Sequence, residues 1–409
     1  MTTKKKIAII GAGAAGCFCA ANIMEMKHDC EITLFEATDF PLHKLSLTGG
    51  GRCNLTNSFN KVTDLADVYP RGHRLLRRLF YVFGHEETHR WFLRHGIPLY
   101  TQPDQRVFPV SNRAVDVVEC LLYILRNYHV KLHSRVRINS ISWDNNTFTL
   151  HDSESSSFDS FNYVIVTTGG MTSSPLAHSL LSLGHELIKP IPSLFSFKVS
   201  DCNLQDLSGI SVPSASVLIN GSGIRAEGAL LVTHFGLSGP AILSLSSYAA
   251  RILAERNYNC DISINWTGLS EQELSKKLNT LFRKQSSQNV YSSHPDFLPN
   301  RLWIHLLSKA GISRERTFGE LGKKNINRLL LSLLSDTYHV TGRGQHRDEF
   351  VTCGGISLRS VNNKTLESNV VPRLYFAGEI LDIDAHTGGF NLQSAWTTAF
   401  VVANHIANE

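Results

Sequence analysis

The chain has 409 residues, 42% of them hydrophobic and 18% charged, and carries a net charge of +5 at neutral pH. That length supports two or three domains with a substantial core, and the mild positive balance permits anionic ligands but is too small to argue for nucleic acid by itself. Eight cysteines fall without a C-x-x-C pair, which argues against a zinc ribbon or a dithiol redox pair and fits a reduced cytoplasm.

Residues 6–36 read as strand, glycine-rich turn, helix and a second strand ending in an acid. Gly11 permits a tight turn off the strand, Gly13 lets the backbone approach a pyrophosphate, and Gly16 lets the helix pack close on the sheet. Ala14 and Ala15 open that helix, whose first N–H groups face the phosphate. Glu36 follows Gly16 at the spacing of the carboxylate that accepts hydrogen bonds from ribose hydroxyls. A signal peptide is the competing reading of this segment, but its glycines stand at fingerprint positions and interrupt the apolar run. No other stretch reaches the length of a membrane-spanning helix.

Next comes Lys44, then Thr48-Gly49-Gly50-Gly51-Arg52-Cys53-Asn54. Three glycines beside a cation and an amide predict a backbone cradle suited to phosphate or a ring edge. Residues 71–95 predict two helices, with Leu75, Leu76, Leu79 and Phe83 on one stripe and Gly96 as the stop. Arg71, Arg74, Arg77 and Arg78 read as a solvated face. His85-Glu86-Glu87-Thr88-His89 matches H-E-x-x-H, yet continued helix turns His95 away from the face of His85 and His89, so no metal site is expected.

An apolar-periodic helix over 114–128 leads to strand-like pieces at 130–143 and 147–151, joined by Asn145-Asn146 as a hairpin turn. Within them, Arg135-Val136-Arg137 offers a strand end where a backbone amide could meet adenine. Residues 162–168 are a buried strand that breaks at Thr168-Gly169-Gly170. Residues 191–267 read as a β-rich insert and 268–344 as a helical subdomain, and neither holds a second G-x-G-x-x-G. Both chain ends, 1–190 and 345–409, then form one discontinuous domain. At its C-terminal end a strand stops at Gly378-Glu379, and Gly388-Gly389 with Asn391, Leu392 and Gln393 opens the last helix.

The fingerprint, Lys44, the 48–54 run, Arg106-Val-Phe-Pro109, 233–240, Thr352-Cys-Gly-Gly355, 374–379 and 387–393 occur in order over nearly the whole chain. Together they resemble the BaiN/aminoacetone-oxidase-like family of NAD(P)/FAD-dependent oxidoreductases. The resemblance implies an α/β fold: a Rossmann-like FAD-binding domain of the two-dinucleotide-binding type, interrupted by a β-barrel-like insert and a small helical subdomain. It implies FAD as cofactor, NAD(P)H as a transient co-substrate, a small-molecule substrate, and Val136 at the adenine. Gly11, Gly13, Ala14, Ala15, Gly16 and Glu36 are then expected at the ADP half. Lys44, Gly49, Gly50, Gly51, Arg52, Cys53, Asn54, Thr168, Gly169, Gly378, Glu379, Asp384, Gly388, Gly389, Asn391, Leu392 and Gln393 are expected around the diphosphate, ribityl chain and ring. His386 is the candidate for proton transfer. Two features depart from the family pattern: residues 171–178 replace a glycine-rich turn, and Asp384-Ala385-His386 replaces an acidic run. They leave room for a flavin-binding sensor with little turnover; a second rival is an RNA-modifying flavoenzyme that holds phosphates with the arginines at 71–78.

Overall fold

A computed structural model of the protein describes residues 4–170, 174–344 and 351–409. The chain divides into two compact units, Met1–Pro192 with Val351–Glu409, and Ser193–Phe350.

The first unit is built on five parallel strands, β1 (Lys5–Ile10), β2 (Cys30–Phe35), β3 (Lys131–His133), β4 (Tyr163–Val166) and β5 (Leu374–Phe376), ordered β5-β4-β1-β2-β3. Ile7, Ala8, Ile9 and Ile10 are all buried, as are Tyr163 to Val166, because both faces of the sheet are covered. Helix α1 (Ala14–Met26) joins β1 to β2, and α2 (Phe390–Asn408) packs on α1. With β2 on one side of β1 and β4 on the other, strand order reverses at β1, and in such sheets ligands bind beyond the C-terminal end of the strands at that point. The glycine-rich turn stands there.

Two small antiparallel sheets extend this unit. Thr56–Asn57, Arg106–Pro109 and Leu99–Thr101 form one, and Ile138–Asp144, Thr147–Asp152 and Ser157–Phe161 form the other. Asn145 and Asn146 turn the hairpin with φ of 48° and 63°, the left-handed pair such a turn needs. The strand-like run 130–143 is split: β3 ends at His133, and the chain re-enters a different sheet at Ile138 after a left-handed residue, Arg135. The departure at 171–178 lies partly outside the described residues (171–173); helix Pro175–Ser182 follows, capped by Ser174.

In the second unit six strands close into a barrel, in the order Phe197–Val199, Gly236–Ser238, Arg225–Thr233, Ser211–Ile219, Cys260–Asn265 and Asp336–Arg343. Helices Glu271–Lys284, Asn300–Lys309 and Lys323–Leu334 fall in sequence between the last two of these strands. They share one apolar core with the barrel, centred on Trp266, Leu274, Trp303, Leu306 and Leu333. Among the described residues no helix is long and apolar enough to cross a membrane.

Candidate functional site

The turn after β1 is held by sterics at two glycines and left open at the third. Gly11 has φ of +106°, and a side chain there would meet the Thr167 carbonyl oxygen at 2.6 Å. A Cβ on Gly16 would stand 2.0 Å from the Gly11 oxygen, so α1 can lie this close only with glycine. A Cβ on Gly13, which begins α1, would meet nothing within 4 Å. No side chain caps the helix there, so its first N–H groups face the opening. Glu36, at the end of β2, accepts from Ala12 N at 3.0 Å and from Thr38 N at 2.9 Å, which fixes its carboxylate beside the turn. Oε1 also accepts from Thr38 Oγ1 at 2.8 Å, so the capacity for a further donor lies on Oε2. Thr167, a residue sequence reasoning passed over, donates to the Gly11 carbonyl at 2.8 Å and braces the turn from β4.

A second wall comes from the C-terminal segment. Gly378, with φ of +79°, sits against Ala15, where a Cβ would find the Ala15 methyl at 2.8 Å. Glu379 accepts from Thr352 N at 2.8 Å and pairs with Lys44 Nζ at 3.5 Å. Gly169 lies beside the Glu379 carboxylate, and a Cβ on Gly170 would reach Thr352 Oγ1 at 2.0 Å. Thr168 is exposed at the strand end. Lys44, Gly169, Gly378 and Glu379 are therefore brought together, with Ala15 from the fingerprint. Thr352 completes the group; it belonged to a recognised motif but carried no role in the sequence reading.

The triple glycine is a backbone kink: Gly49, Gly50 and Gly51 have φ of 60°, 68° and 81° at the end of a short helix, and Cβ atoms on Gly50 and Gly51 would meet nothing within 4 Å. The Arg52 guanidinium lies 4.3 Å from the centre of the Phe108 ring, and its Nε donates to the Gly49 oxygen at 3.2 Å, which holds this cation over the loop. Cys53 is fully buried, and burial pushes its thiol up to about 12, which makes it an inert core residue.

Asn54, Thr56 and Asn57 form the seat of the last helix. With its amide oriented to satisfy both partners, Asn54 accepts from Gly389 N at 2.9 Å and donates to the Thr56 oxygen at 3.1 Å. Asn57 Nδ2 donates to the Gly388 oxygen at 3.1 Å. A Cβ on Gly389 would stand 2.2 Å from the Thr56 oxygen. Gln393 is fully buried, accepting from Thr56 Oγ1 at 2.6 Å and donating to Thr397. Asn391 clamps the preceding loop through the Ala385 N–H and carbonyl at 2.9 Å each, and Leu392 packs against the core. The amides of Asn391 and Gln393 thus serve the protein's own backbone and side chains. The Val136 N–H is likewise taken, by the Glu36 carbonyl at 2.8 Å, which leaves the Val136 carbonyl as the group at that strand end.

Asp384 and Arg71 correct the sequence reading together. Asp384 is fully buried and forms a two-pronged ion pair with Arg71, so that arginine is no part of a solvated face. Arg77 pairs with Asp64 at 2.7 Å, leaving Arg74 and Arg78 exposed on helix His73–Leu79. His386 follows Asp384, its backbone N–H held by the Val68 oxygen at 3.0 Å. Burial, reinforced by the Arg71 charge, lowers its imidazole to about 4. At neutral pH His386 is therefore uncharged: it can accept a proton but holds no imidazolium proton to give. Of the histidines around the H-E-x-x-H run, His85 packs on Phe59, and His95, beyond the motif, is bonded to Glu25 at 2.6 Å while stacked on Trp91.

A parallel sheet with a glycine turn at its switch point, an uncapped helix start beyond it and an acid at the next strand end defines a Rossmann dinucleotide-binding protein. The chain belongs to the HI0933-like protein Rossmann domain family, which it matches over residues 5–405. It is 29% identical to a ribosomal RNA dihydrouridine synthase of Escherichia coli, covering 97% of each chain. A protein of the same name from Haemophilus influenzae is 27% identical, with 98% of each chain covered. A 3-dehydro-bile acid delta(4,6)-reductase of Clostridium scindens is 26% identical, over 98% of this chain and 99% of its own. All three carry the names of enzymes, and this chain is an enzyme.

Proposed function

We propose that the protein is an FAD-dependent oxidoreductase that saturates a carbon–carbon double bond conjugated to a carbonyl. The observation that carries the cofactor is the open face at Gly13: bare N–H groups at the start of α1, no protein atom within 4 Å of where a Cβ would stand, and the Glu36 carboxylate fixed alongside. The turn would hold the diphosphate of FAD and Glu36 its ribose hydroxyls. The Lys44–Glu379–Thr352 group and the seat at Asn54 and Asn57 would position the remainder, and the start of α2 would favour negative charge at its end. FAD, when bound, supplies the hydride chemistry. NAD(P)H fits as a diffusing donor.

The names of the relatives support the reaction class. Making dihydrouridine saturates a ring double bond conjugated to a carbonyl, and a delta(4,6)-reduction of a 3-keto compound does the same to an enone. A small conjugated ketone is the first substrate reading. Uracil within RNA is the second, favoured by the two dihydrouridine synthase relatives and by the exposed Arg74 and Arg78.

The test begins with the visible spectrum of purified protein and identification of the released chromophore, expected to be FAD. Anaerobic addition of NADH or NADPH should then bleach it. Colour should return without oxygen on adding a conjugated dienone (first reading) or a uridine-containing rRNA fragment (second reading). Protein that stays colourless after soaking in FAD removes the proposal. Bleached protein that neither substrate class reoxidises removes the reaction class.

A further inference from the structure

At the opposite end of α2 from Gly389, three potential ligands converge that the redox reading does not use. His405 and Glu409 lie one helical turn apart, the spacing that puts two side chains on one face. His405 Nε2 stands 3.2 Å from Glu409 Oε1. Glu367 comes from the loop beside β5 and bridges to Tyr375 across an antiparallel pair. One ligand atom from each of Glu367, His405 and Glu409 lies within 4.8 Å of the others. The second observation is Tyr375: it is fully buried on β5, its ring is 5.8 Å from the His405 ring, and its hydroxyl has no hydrogen-bond partner among the described residues. Glu367 stands directly opposite Tyr375 in that bridge, which puts the two side chains on one face, and Glu367 and Glu409 both act electrostatically on the hydroxyl. A buried hydroxyl is ordinarily paired, and an unpaired one calls for an explanation.

We propose that Glu367, His405 and Glu409 bind a divalent cation of the zinc type, with the Tyr375 hydroxyl facing the bound ion or a water on it. One imidazole nitrogen and two carboxylates are a donor set zinc accepts. Two ligands at tetrahedral angles on zinc stand about 3.3 Å apart, close to the His405–Glu409 separation of 3.2 Å. The ligand atoms lie within 4.8 Å of one another, so the third has to close by at most about 1.5 Å. Its carboxylate is already steered, since Glu367 Oε1 accepts from Arg373 N at 2.7 Å, the kind of outer contact that orients a metal ligand. Two cations stand nearby: the Arg373 guanidinium lies 5.9 Å from the Tyr163 ring centre, and Lys27 Nζ donates to the Ile406 oxygen at 3.4 Å. The negative end of α2 adds to the attraction. At about 1.5 Å per residue, the site is roughly 24–30 Å along the helix from Gly389, so the ion would tie the last turn of α2 to β5 without entering the redox centre.

The test uses the full-length protein, stripped with EDTA and dialysed. Zinc chloride titrated calorimetrically should bind one ion per chain at micromolar or tighter affinity and raise the melting temperature. His405→Ala, Glu367→Gln and Glu409→Gln should each weaken that binding at least tenfold and abolish the rise, with circular dichroism unchanged. Calcium should bind far more weakly, because an imidazole ligand favours the softer ion. Should His405→Ala fail to fold, the two Glu→Gln variants decide. Absence of a zinc-dependent rise in the wild type, variants that bind zinc as the wild type does, or a preference for calcium would each overturn the assignment.

Discussion

Gly13 and Gly16 are three residues apart and do opposite things, which makes them separable. Gly16 has no room for a methyl group, since a Cβ would stand 2.0 Å from the Gly11 oxygen. Gly16→Ala is expected to destabilise the first unit by about 3 kcal/mol, as overpacking against backbone does. Gly13 has ordinary extended backbone and open space. Gly13→Ala should therefore leave the stability of cofactor-free protein within about 0.5 kcal/mol of wild type while weakening flavin binding about tenfold or more, a loss of about 1.4 kcal/mol. Thermal melts and flavin titration on both variants check the pair; equal effects on stability would contradict the division of labour. His386 makes a second residue-scale prediction. Its folded pKa of about 4 lies below the ordinary 6.5, so the unfolded chain takes up the proton first as pH falls. Stability is then intact above pH 6.5 and declines toward pH 4, by up to about 3 kcal/mol. His386→Gln should flatten that decline in urea titrations at stepped pH, and a variant curve parallel to wild type would show that the imidazole is not the group responsible.

At the scale of elements, α2 is placed by hydrogen bonds with residues more than 300 positions earlier in the chain. Asn57 holds the Gly388 carbonyl, Trp396 donates to the Leu55 oxygen at 3.0 Å, and Tyr69 donates to the Phe390 oxygen at 2.7 Å. Asn57→Ala removes the bonds to Gly388 and Phe59, leaving a buried carbonyl and an N–H without their partner. A loss of about 1–3 kcal/mol is expected, together with weaker flavin retention, because the start of α2 loses its seat; unchanged retention on size-exclusion would detach Asn57 from the site. These contacts also mark what the sequence could disclose. The β1–α1–β2 unit was legible because glycine spacing, apolar runs and the terminal acid are all local, and the Asn145-Asn146 turn for the same reason. The last helix and its glycine pair were legible as a motif. Its true partners were not: an asparagine near a glycine run reads as a ligand, and only tertiary packing shows Asn391 and Gln393 satisfying the protein's own groups. Arg71 failed in the same way. Its neighbours in sequence are exposed arginines, whereas its neighbour in space is the buried Asp384.

On the scale of the molecule, the least legible feature is how the second unit closes. Period-two patterning identifies strands up to about residue 267, and the helices after them read as a separate element group. The closing strand, Asp336–Arg343, lies beyond those helices and pairs with both Phe197–Val199 and Cys260–Asn265. Its first residue explains how the junction is secured. Asp336 is 2% exposed, accepts from Trp266 Nε1 at 2.9 Å and pairs with Lys309 Nζ at 2.5 Å, joining a barrel strand, the turn after another and a helix. Asp336→Ala leaves the indole N–H and the ammonium without their shared acceptor. Breaking a buried pair costs about 3–5 kcal/mol, and the partial exposure of Lys309 brings the expectation to about 2–4 kcal/mol. Asp336→Asn keeps an acceptor for Trp266 and gives up only the charge, so it should fall between alanine and wild type. Trp266 lies against this junction, and urea unfolding followed by tryptophan fluorescence reads it directly. A midpoint for the asparagine variant equal to that of alanine would mean that the ion pair alone holds the junction; a midpoint for alanine equal to wild type would mean that the barrel closes by apolar packing without Asp336.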